Sequence, residues 1–297
     1  MAIIPFPVLI HSKTEEIEGI YTMRVGIIGL GLMGGSLGLA LKQTKLVSRV
    51  VGIDHNLTHC EEALALGLVH EIVSFEEIKE CDMIFLAIPV EAIISTLQEL
   101  TSVSSTTTIV DLGSTKNKIL QAVPKPIRSN FVAAHPMTGT EKFGPSAAIE
   151  GLYQGAVVVL CDFDNSGDIH KERAIGVFSH IGMKIVFMDP IAHDKHAAFI
   201  SHLPHALSYA LANSVMGQED PKSILLLAGG GFKDMSRIAK SSPQMWSEIF
   251  MQNRDNLLQS IDLFEKELMK AKTMIENEDW DALSTWMGNA TTLHKIL

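Results

Sequence analysis

Apolar positions change their habit once along this chain. Up to residue 188 they come in short unbroken blocks: Arg24–Ile28, Arg49–Asp54, Met83–Ile88, Thr108–Leu112, Asn130–Ala134, Gly155–Leu160 and Lys184–Met188. Such blocks are too short for buried helices, and most stop against glycine, proline or a polar residue, which predicts strands covered on both faces. Amphipathic stretches lie between them: Leu37–Lys42, a helix from Asn56 through Glu61, Glu62 and Leu64 to Gly67, and another across Lys171–His180. Asn56 has the chemistry of an N-cap and Gly67 that of a terminator. Strands alternating with helices predict an α/β fold, a doubly wound parallel sheet of the Rossmann type with helices on both faces.

Past Asp189-Pro190 the blocks vanish and helical periodicities replace them, over Ala197–Met216, Ile224–Leu227 and Trp246–Ile275. The pattern therefore predicts a sheet domain over 23–188 and an all-helical domain over 189–297. Residues 1–22 precede the first strand, contain Pro5 and Pro7, and read as an extension without an assigned role. Leu257, Ile261, Phe264, Leu268 and Ile275 form a long apolar stripe that needs more helix over it. Burial between two subunits would cover it.

Composition narrows the partners. A formal net charge of −10 over 297 residues disfavours nonspecific binding to a phosphate backbone. Cys60, Cys81 and Cys161 are widely spaced, with no C-x-x-C, and fit reduced thiols in a cytoplasmic protein. The longest apolar run, Val25–Leu41, is interrupted by glycines and Ser36 and reads better as strand–turn–helix than as a membrane span. The N-terminus lacks the basic start of a signal peptide.

Candidate chemistry gathers where the predicted strands end. Within R-V-G-I-I-G-L-G-L-M-G-G (Arg24–Gly35), Gly29, Gly31 and Gly34 make a G-x-G-x-x-G spacing ahead of a helix opening at Met33. The first glycine allows the turn, the second lets a pyrophosphate approach, and the third lets helix and strand pack closely. Asp54 follows about 20 residues past the third glycine, where a carboxylate meets the ribose hydroxyls and repels a 2′-phosphate. That favours NAD over NADP, with a merely structural turn and a solvated acid as the plainer alternatives. Gly29, Asp54, Pro89, Ser114 and His135 all stand at carboxyl ends of strands, where ligands of such sheets bind. The cofactor set is therefore Gly29, Leu30, Gly31, Leu32, Met33, Gly34, Asp54, Pro89 and Ser114.

His135, in A-A-H-P-M-T-G-T-E-K, has a suitable pKa to take a hydroxyl proton during alcohol oxidation. Ser114 either caps a helix, turns its hydroxyl toward cofactor or substrate, or does both. Gly229–Arg237 places three glycines between helices, which predicts a very close backbone approach, and its Lys233 and Arg237 suit a carboxylate substrate. A flexible hinge is the alternative there. His193, His196, His202 and His205 lack a recognised metal-ligand spacing with acids or cysteines, so no metal is expected and substrate binding or helix packing is.

With these residues in place, the chain from Met23 onward resembles the prephenate dehydrogenase family in its monofunctional form. The carrying segments are G-L-G-L-M-G-G-S-L-G at 29–38, D-L-G-S-T-K at 111–116, H-P-M-T-G-T-E at 135–141, S-H-L-P-H at 201–205, G-G-G-F-K-D-M-S-R-I-A at 229–239 and P-Q-M-W at 243–246. The first is shared with other hydroxyacid dehydrogenases; the last three are far more specific. The resemblance implies NAD-dependent oxidative decarboxylation of prephenate to 4-hydroxyphenylpyruvate on the route to tyrosine. It implies His135 as catalytic histidine, Ser114 as a serine between substrate hydroxyl and cofactor, and Arg237 as the substrate-carboxylate arginine. Thr140, Glu141, His205 and Trp246 match residues lining or gating the pocket. A homodimer through the helical domain is implied too, with Lys233, Asp234 and Trp246 approaching the partner's pocket. Arogenate in place of prephenate, a β-hydroxyacid dehydrogenase, and a non-catalytic NAD-binding sensor are the alternatives. The second would use a lysine on a later helix, and the sensor has no use for His135, Ser114 and Arg237 together.

Overall fold

The computed structural model describes residues 22–296, so the extension expected over 1–22 lies, save for Thr22, outside the described residues. The first part of the chain alternates as β1 (Met23–Ile28), α1 (Leu32–Lys42), β2 (Val47–Ile53), α2 (Leu57–Ala65), β3 (Glu71–Ile72), α3 (Phe75–Lys79), β4 (Met83–Leu86), α4 (Val90–Glu99), β5 (Thr108–Asp111) and α5 (Asn117–Ala122). It continues through β6 (Phe131–Pro136), β7 (Val157–Cys161), α6 (Asp168–His180) and β8 (Lys184–Met188). The strands form one sheet ordered β3-β2-β1-β4-β5-β6-β7-β8. The order reverses beside β1, which opens a crevice at the strand ends between β1 and β4.

Alternation of side chains explains the two cores. Val25 and Ile27 of β1 point into one cluster with Leu37 and Leu41 of α1 and Phe178 of α6. Ile28 points the other way, into a cluster with Ile84, Leu86, Ile109, Ile93 and Leu97. A strand buried on both faces has no polar side to show, hence the unbroken apolar blocks. Caps sharpen the helix starts: Asn56 accepts from Thr58 N, and Ser74 and Glu77 exchange a full capping box.

The sheet departs from all-parallel at one place. β7 runs antiparallel to β6, and β8 is parallel to β7. A parallel return would need a crossover helix. Residues 137–156 contain only a short 3₁₀ turn at Pro145–Ala147, and glycines 139, 144, 151 and 155 carry positive φ. The chain therefore folds straight back as a wide hairpin loop over the ligand end of the sheet.

Beyond Met188 all described elements are helical: α7 (Pro190–Ala197), a π-helical turn at Ala198–His202, α8 (Leu203–Met216), α9 (Pro221–Leu226), α10 (Gly230–Ser236), α11 (Pro243–Gln252), α12 (Arg254–Glu276) and α13 (Trp280–Ala290). Asp189 caps α7 by accepting from Ile191 N and Ala192 N. The single periodicity expected over Trp246–Ile275 is in fact two helices, broken at Asn253, whose amide is drawn inward to the Asp194 carbonyl at 2.6 Å. Along α12 the apolar stripe starts buried at Leu257 and emerges to 58% exposure at Leu268 and 52% at Ile275. Trp280, Met287, Leu226 and Leu227 are also exposed.

Candidate functional site

The glycine turn is shaped by close approach. Gly29 has φ +93°, and a Cβ there would sit 2.4 Å from the Ala87 carbonyl oxygen, on the segment leading to Pro89. A Cβ on Gly34 would lie 1.8 Å from the Gly29 carbonyl oxygen, so no side chain fits between α1 and the turn. Gly31 is different: its Cβ would meet nothing nearer than Gly144 N at 3.9 Å. The turn is thus packed beneath and open above. No side chain of the N-cap residue, Gly31, serves the first turn of α1. Those N–H groups and the helix dipole suit a pyrophosphate.

Asp54 is nearly buried. Its Oδ2 accepts from Leu30 N at 2.8 Å and its Oδ1 from Asn56 N at 2.9 Å, tying the end of β2 to the glycine turn. His55 Nδ1 lies 3.1 Å from the same Oδ1, and a carboxylate has about four acceptor directions, so capacity is left for a ribose hydroxyl. The residues present therefore fit a dinucleotide.

One sheet position further from the glycine turn, β5 and β6 end in a buried polar cluster. Lys116, fully buried, pairs with Asp111 and donates to the Ala134 carbonyl at 2.7 Å. Asp111 also accepts from Gly113 N at 3.1 Å and Ala134 N at 3.2 Å. Burial pushes the Asp111 carboxyl upward, against the pull of Lys116 and these two N–H groups. The pair thereby clamps the Gly113–Thr115 turn on one side and the residue before His135 on the other. Thr115 Oγ1 donates to Gln252 Oε1 at 3.0 Å, which anchors the same turn to α11.

His135 is buried at the last but one position of β6, with Nδ1 2.9 Å from His193 Nε2. His193 Nδ1 is 2.8 Å from Asp194 Oδ1. Burial, then the neighbouring His193, Lys116 and His202, hold the His135 pKa well below the ordinary histidine value, so the ring is neutral near pH 7. His202 is lowered to about 4, chiefly by burial, and its Nδ1 lies 3.1 Å from Asn253 Nδ2.

Ser114 sits in the turn after β5 and makes no side-chain hydrogen bond among the described residues. The N-terminus of α5 is capped by Asp194, which accepts from Lys116 N and Asn117 N at 2.8 and 2.9 Å. Of the two expectations for Ser114, helix capping is thus taken over by a distant carboxylate.

A second group forms at the rim. Arg237 Nη1 donates to Glu141 Oε2 at 2.9 Å, with the guanidinium about half exposed. The Glu141 carboxyl is lowered by its own backbone N–H and by Arg237. Thr140 is exposed beside it and accepts from Lys142 N. His205 stacks on Trp246 with centroids 3.4 Å apart and planes 19° apart, and its pKa is lowered mainly by burial. Gly229–Gly231 do not approach other backbone: a Cβ on any of the three would meet nothing within 4 Å among the described residues. The close approach expected there is absent because Gly229 merely opens α10 toward open space.

Asp194, Lys116 and Asn253 carry this geometry yet had no assigned role in the sequence, and His193, expected to serve substrate binding or helix packing, contacts His135 instead. Their signal was weak: an adjacent His-Asp after Asp189-Pro190, and an acid and a lysine five apart across a glycine turn.

Comparison with known proteins finds relatives over both parts of the chain. Residues 37–187 match the family model for the prephenate dehydrogenase nucleotide-binding domain, and 189–289 match that for its dimerization domain. A prephenate dehydrogenase of Bacillus subtilis is 33% identical over 271 residues, 89% of this chain and 73% of the relative. A cyclohexadienyl dehydrogenase of Zymomonas mobilis is 30% identical over 87% of this chain and 90% of its own. The crystal structure of prephenate dehydrogenase from A. aeolicus, in complex with hydroxyphenyl propionate and NAD+, superposes with a TM-score of 0.86 at 30% identity, covering 92% of this chain and 98% of that one.

Proposed function

The chain belongs to the prephenate dehydrogenase family, and from that premise we propose that His135 takes the hydroxyl proton in its reaction. That reaction is the NAD-dependent oxidative decarboxylation of prephenate to 4-hydroxyphenylpyruvate. NAD, when bound, accepts the hydride from the ring carbon that bears the hydroxyl. The turn Gly29–Gly34, with Leu30, Leu32 and Met33, would hold its pyrophosphate, Asp54 would hold the adenosine ribose, and Pro89 and Ser114 would border the nicotinamide end. Loss of the ring carboxylate as CO2 yields an aromatic ring, so the protein needs orientation and a proton acceptor more than a strong electrophile.

The observation that carries the role of His135 is a buried imidazole at the carboxyl end of β6, 2.9 Å from His193 through Nδ1, whose burial disfavours the charged form. Its Nε2 is left for the substrate hydroxyl, and Ser114 offers a second hydroxyl one strand away. Arg237 binds a substrate carboxylate; Glu141 occupies only one of its N–H groups in the contact at 2.9 Å. Thr140, His205 and Trp246 line the pocket beside it. The functional unit is a homodimer through the helical domain, which covers the exposed part of the α12 stripe. Among the described residues no helix is long and apolar enough to cross a membrane. The three widely spaced free cysteines, Cys60, Cys81 and Cys161, support a place in the cytoplasm.

Purified protein given NAD and prephenate should form NADH, followed by absorbance; no turnover with prephenate or arogenate would reject the assignment. Similarity to a cyclohexadienyl dehydrogenase makes arogenate the second substrate to try, and the ratio of kcat/KM values decides between them. Arg237→Ala is expected to raise KM for prephenate roughly tenfold to a hundredfold with kcat nearly kept, the worth of one charge-assisted hydrogen bond. Steady-state kinetics with an unchanged KM would remove Arg237 from the carboxylate site.

A further inference from the structure

We propose that His193 and Asp194 are positioning residues that hold the His135 imidazole in the one tautomer able to act as a base, and that the same Asp194 carboxylate fixes the turn carrying Ser114. The proposal deepens the reading of His135 as proton acceptor and rests on it.

The proton assignment follows from the far end of the chain of contacts. Asp194 accepts from two backbone N–H groups, Lys116 at 2.8 Å and Asn117 at 2.9 Å, at the start of α5. A helix N-terminus favours an ionised carboxylate. His193 and these two N–H groups outweigh burial and keep the carboxyl below its ordinary range. An ionised carboxylate only accepts, so the contact at 2.8 Å between Asp194 Oδ1 and His193 Nδ1 requires the proton on Nδ1. With its ring proton placed at Nδ1, His193 presents the lone pair of Nε2 toward His135. That atom is 2.9 Å from His135 Nδ1, so His135 must donate there. Its own Nε2 is left as the acceptor. The opposite tautomer would set two lone pairs against each other inside a buried site.

Charge runs the same way. The titratable and charged groups facing His135 are His193 on α7, Lys116 beside α5 and His202 on the π-helical turn. Lys116 and any charge on the two histidines disfavour an imidazolium. Asp194, reached through His193, is the anion that offsets the charge arising when His135 takes a proton. The Asp111 carboxylate is spent on Lys116, Gly113 N and Ala134 N.

Asp194 also joins the two domains. It and His193 lie on the first helix of the helical domain, whereas His135, Lys116 and Asn117 belong to the sheet domain. Asn253, at the break between α11 and α12, donates to the Asp194 carbonyl at 2.6 Å and fixes that helix from behind. One carboxylate thus sets the orientation of the base and caps the helix that follows the Ser114 turn.

Two substitutions at His193 separate positioning from folding, because both leave Asp194 to cap α5. His193→Leu should lower kcat roughly 10²–10³-fold with KM values little changed, the pattern of a lost transition-state contribution. His193→Gln places a carboxamide oxygen within reach of the His135 Nδ1–H and should recover about tenfold of that loss, as a conserved acceptor would. Asp194→Asn should move the acid limb of kcat/KM to lower pH, since the imidazolium loses its anion. Histidine-selective ¹⁵N NMR reads the tautomers without catalysis: both His135 and His193 should be protonated at Nδ1 in the wild type, with His135 mixed in His193→Leu. A wild-type His135 protonated at Nε2 overturns the proposal. A His193→Leu enzyme with kcat within about threefold of wild type also overturns it, the general-base contribution being far larger. If the tautomers are as stated but His135→Asn keeps full activity, the base assignment fails while the relay stands.

Discussion

His135→Asn is expected to lower kcat by roughly 10²–10⁴-fold, about 3–5 kcal/mol on the barrier, the range for a lost general base. Asparagine can still donate to His193 Nε2 from nearly the place of the imidazole Nδ1, so the local packing survives. What disappears is the acceptor on the far side of the ring. In the proposed site prephenate and NAD are held by other groups, so both KM values should stay close to wild type. Depression of the His135 pKa sets the pH dependence. The base must be neutral to work, and its folded-state pKa lies below the ordinary value of about 6.5. Activity should therefore be flat through neutrality and fall only as pH drops through that lowered value, giving an acid limb of kcat/KM below about 6.5. Initial rates of NADH formation for wild type and variant across pH 5–9 check both points. A loss under tenfold, or an acid limb unchanged in the variant, would assign the proton to another group.

The parts of the site that were legible in the sequence are those whose logic is local. Gly29, Gly31 and Gly34 announce a turn because their spacing alone demands absent side chains, and the Cβ distances around Gly29 and Gly34 show the demand to be real. Strand ends were legible because an apolar block buried on two faces must stop where the chain meets solvent or ligand. The direction of β7 was not. Its composition is that of any buried strand, and only the missing crossover between β6 and β7 reverses it. The His135–His193–Asp194 relay was invisible for a stronger reason: it joins positions 58 residues apart across the domain boundary. No periodicity encodes such a contact. Asn253 was hidden inside an apolar period that continues past it, and the glycines at 229–231 looked like close packing but border open space. What propensity and spacing miss here is tertiary pairing of polar groups.

That same pairing sets the second large effect. Lys116→Met should destabilise the protein by about 3–5 kcal/mol, the cost of leaving a buried charge without its partner. Lys116 and Asp111 are both wholly removed from water. Methionine matches the length of the lysine stem and fills the space, so the loss is electrostatic more than steric. Asp111 keeps the N–H groups of Gly113 and Ala134 but no cation. Its already raised pKa must then rise further, because the desolvation that pushes it upward is no longer opposed by the ammonium. A carboxyl whose folded pKa exceeds its unfolded value gives up stability as pH climbs from about 4 through the folded pKa. The deficit of Lys116→Met should thus be smallest near pH 5 and widen toward pH 8, the reverse of ordinary acid denaturation. Removing both charges, as in Asp111→Leu with Lys116→Met, should recover much of the loss, since the penalty lies in the orphaned ion. Urea unfolding of the single and double variants at both pH values reads these terms. A single variant within about 1 kcal/mol of wild type would contradict a buried ion pair, for which the expected penalty is several times larger. Because the pair also clamps the Ser114 turn against the backbone ahead of His135, the folded fraction of Lys116→Met should lose kcat as well as stability. The double variant, with its unfolding free energy regained but its clamp replaced by apolar contact, separates the two effects: stability returns where charge balance was the cause, and kcat returns only as far as the turn is still held in place.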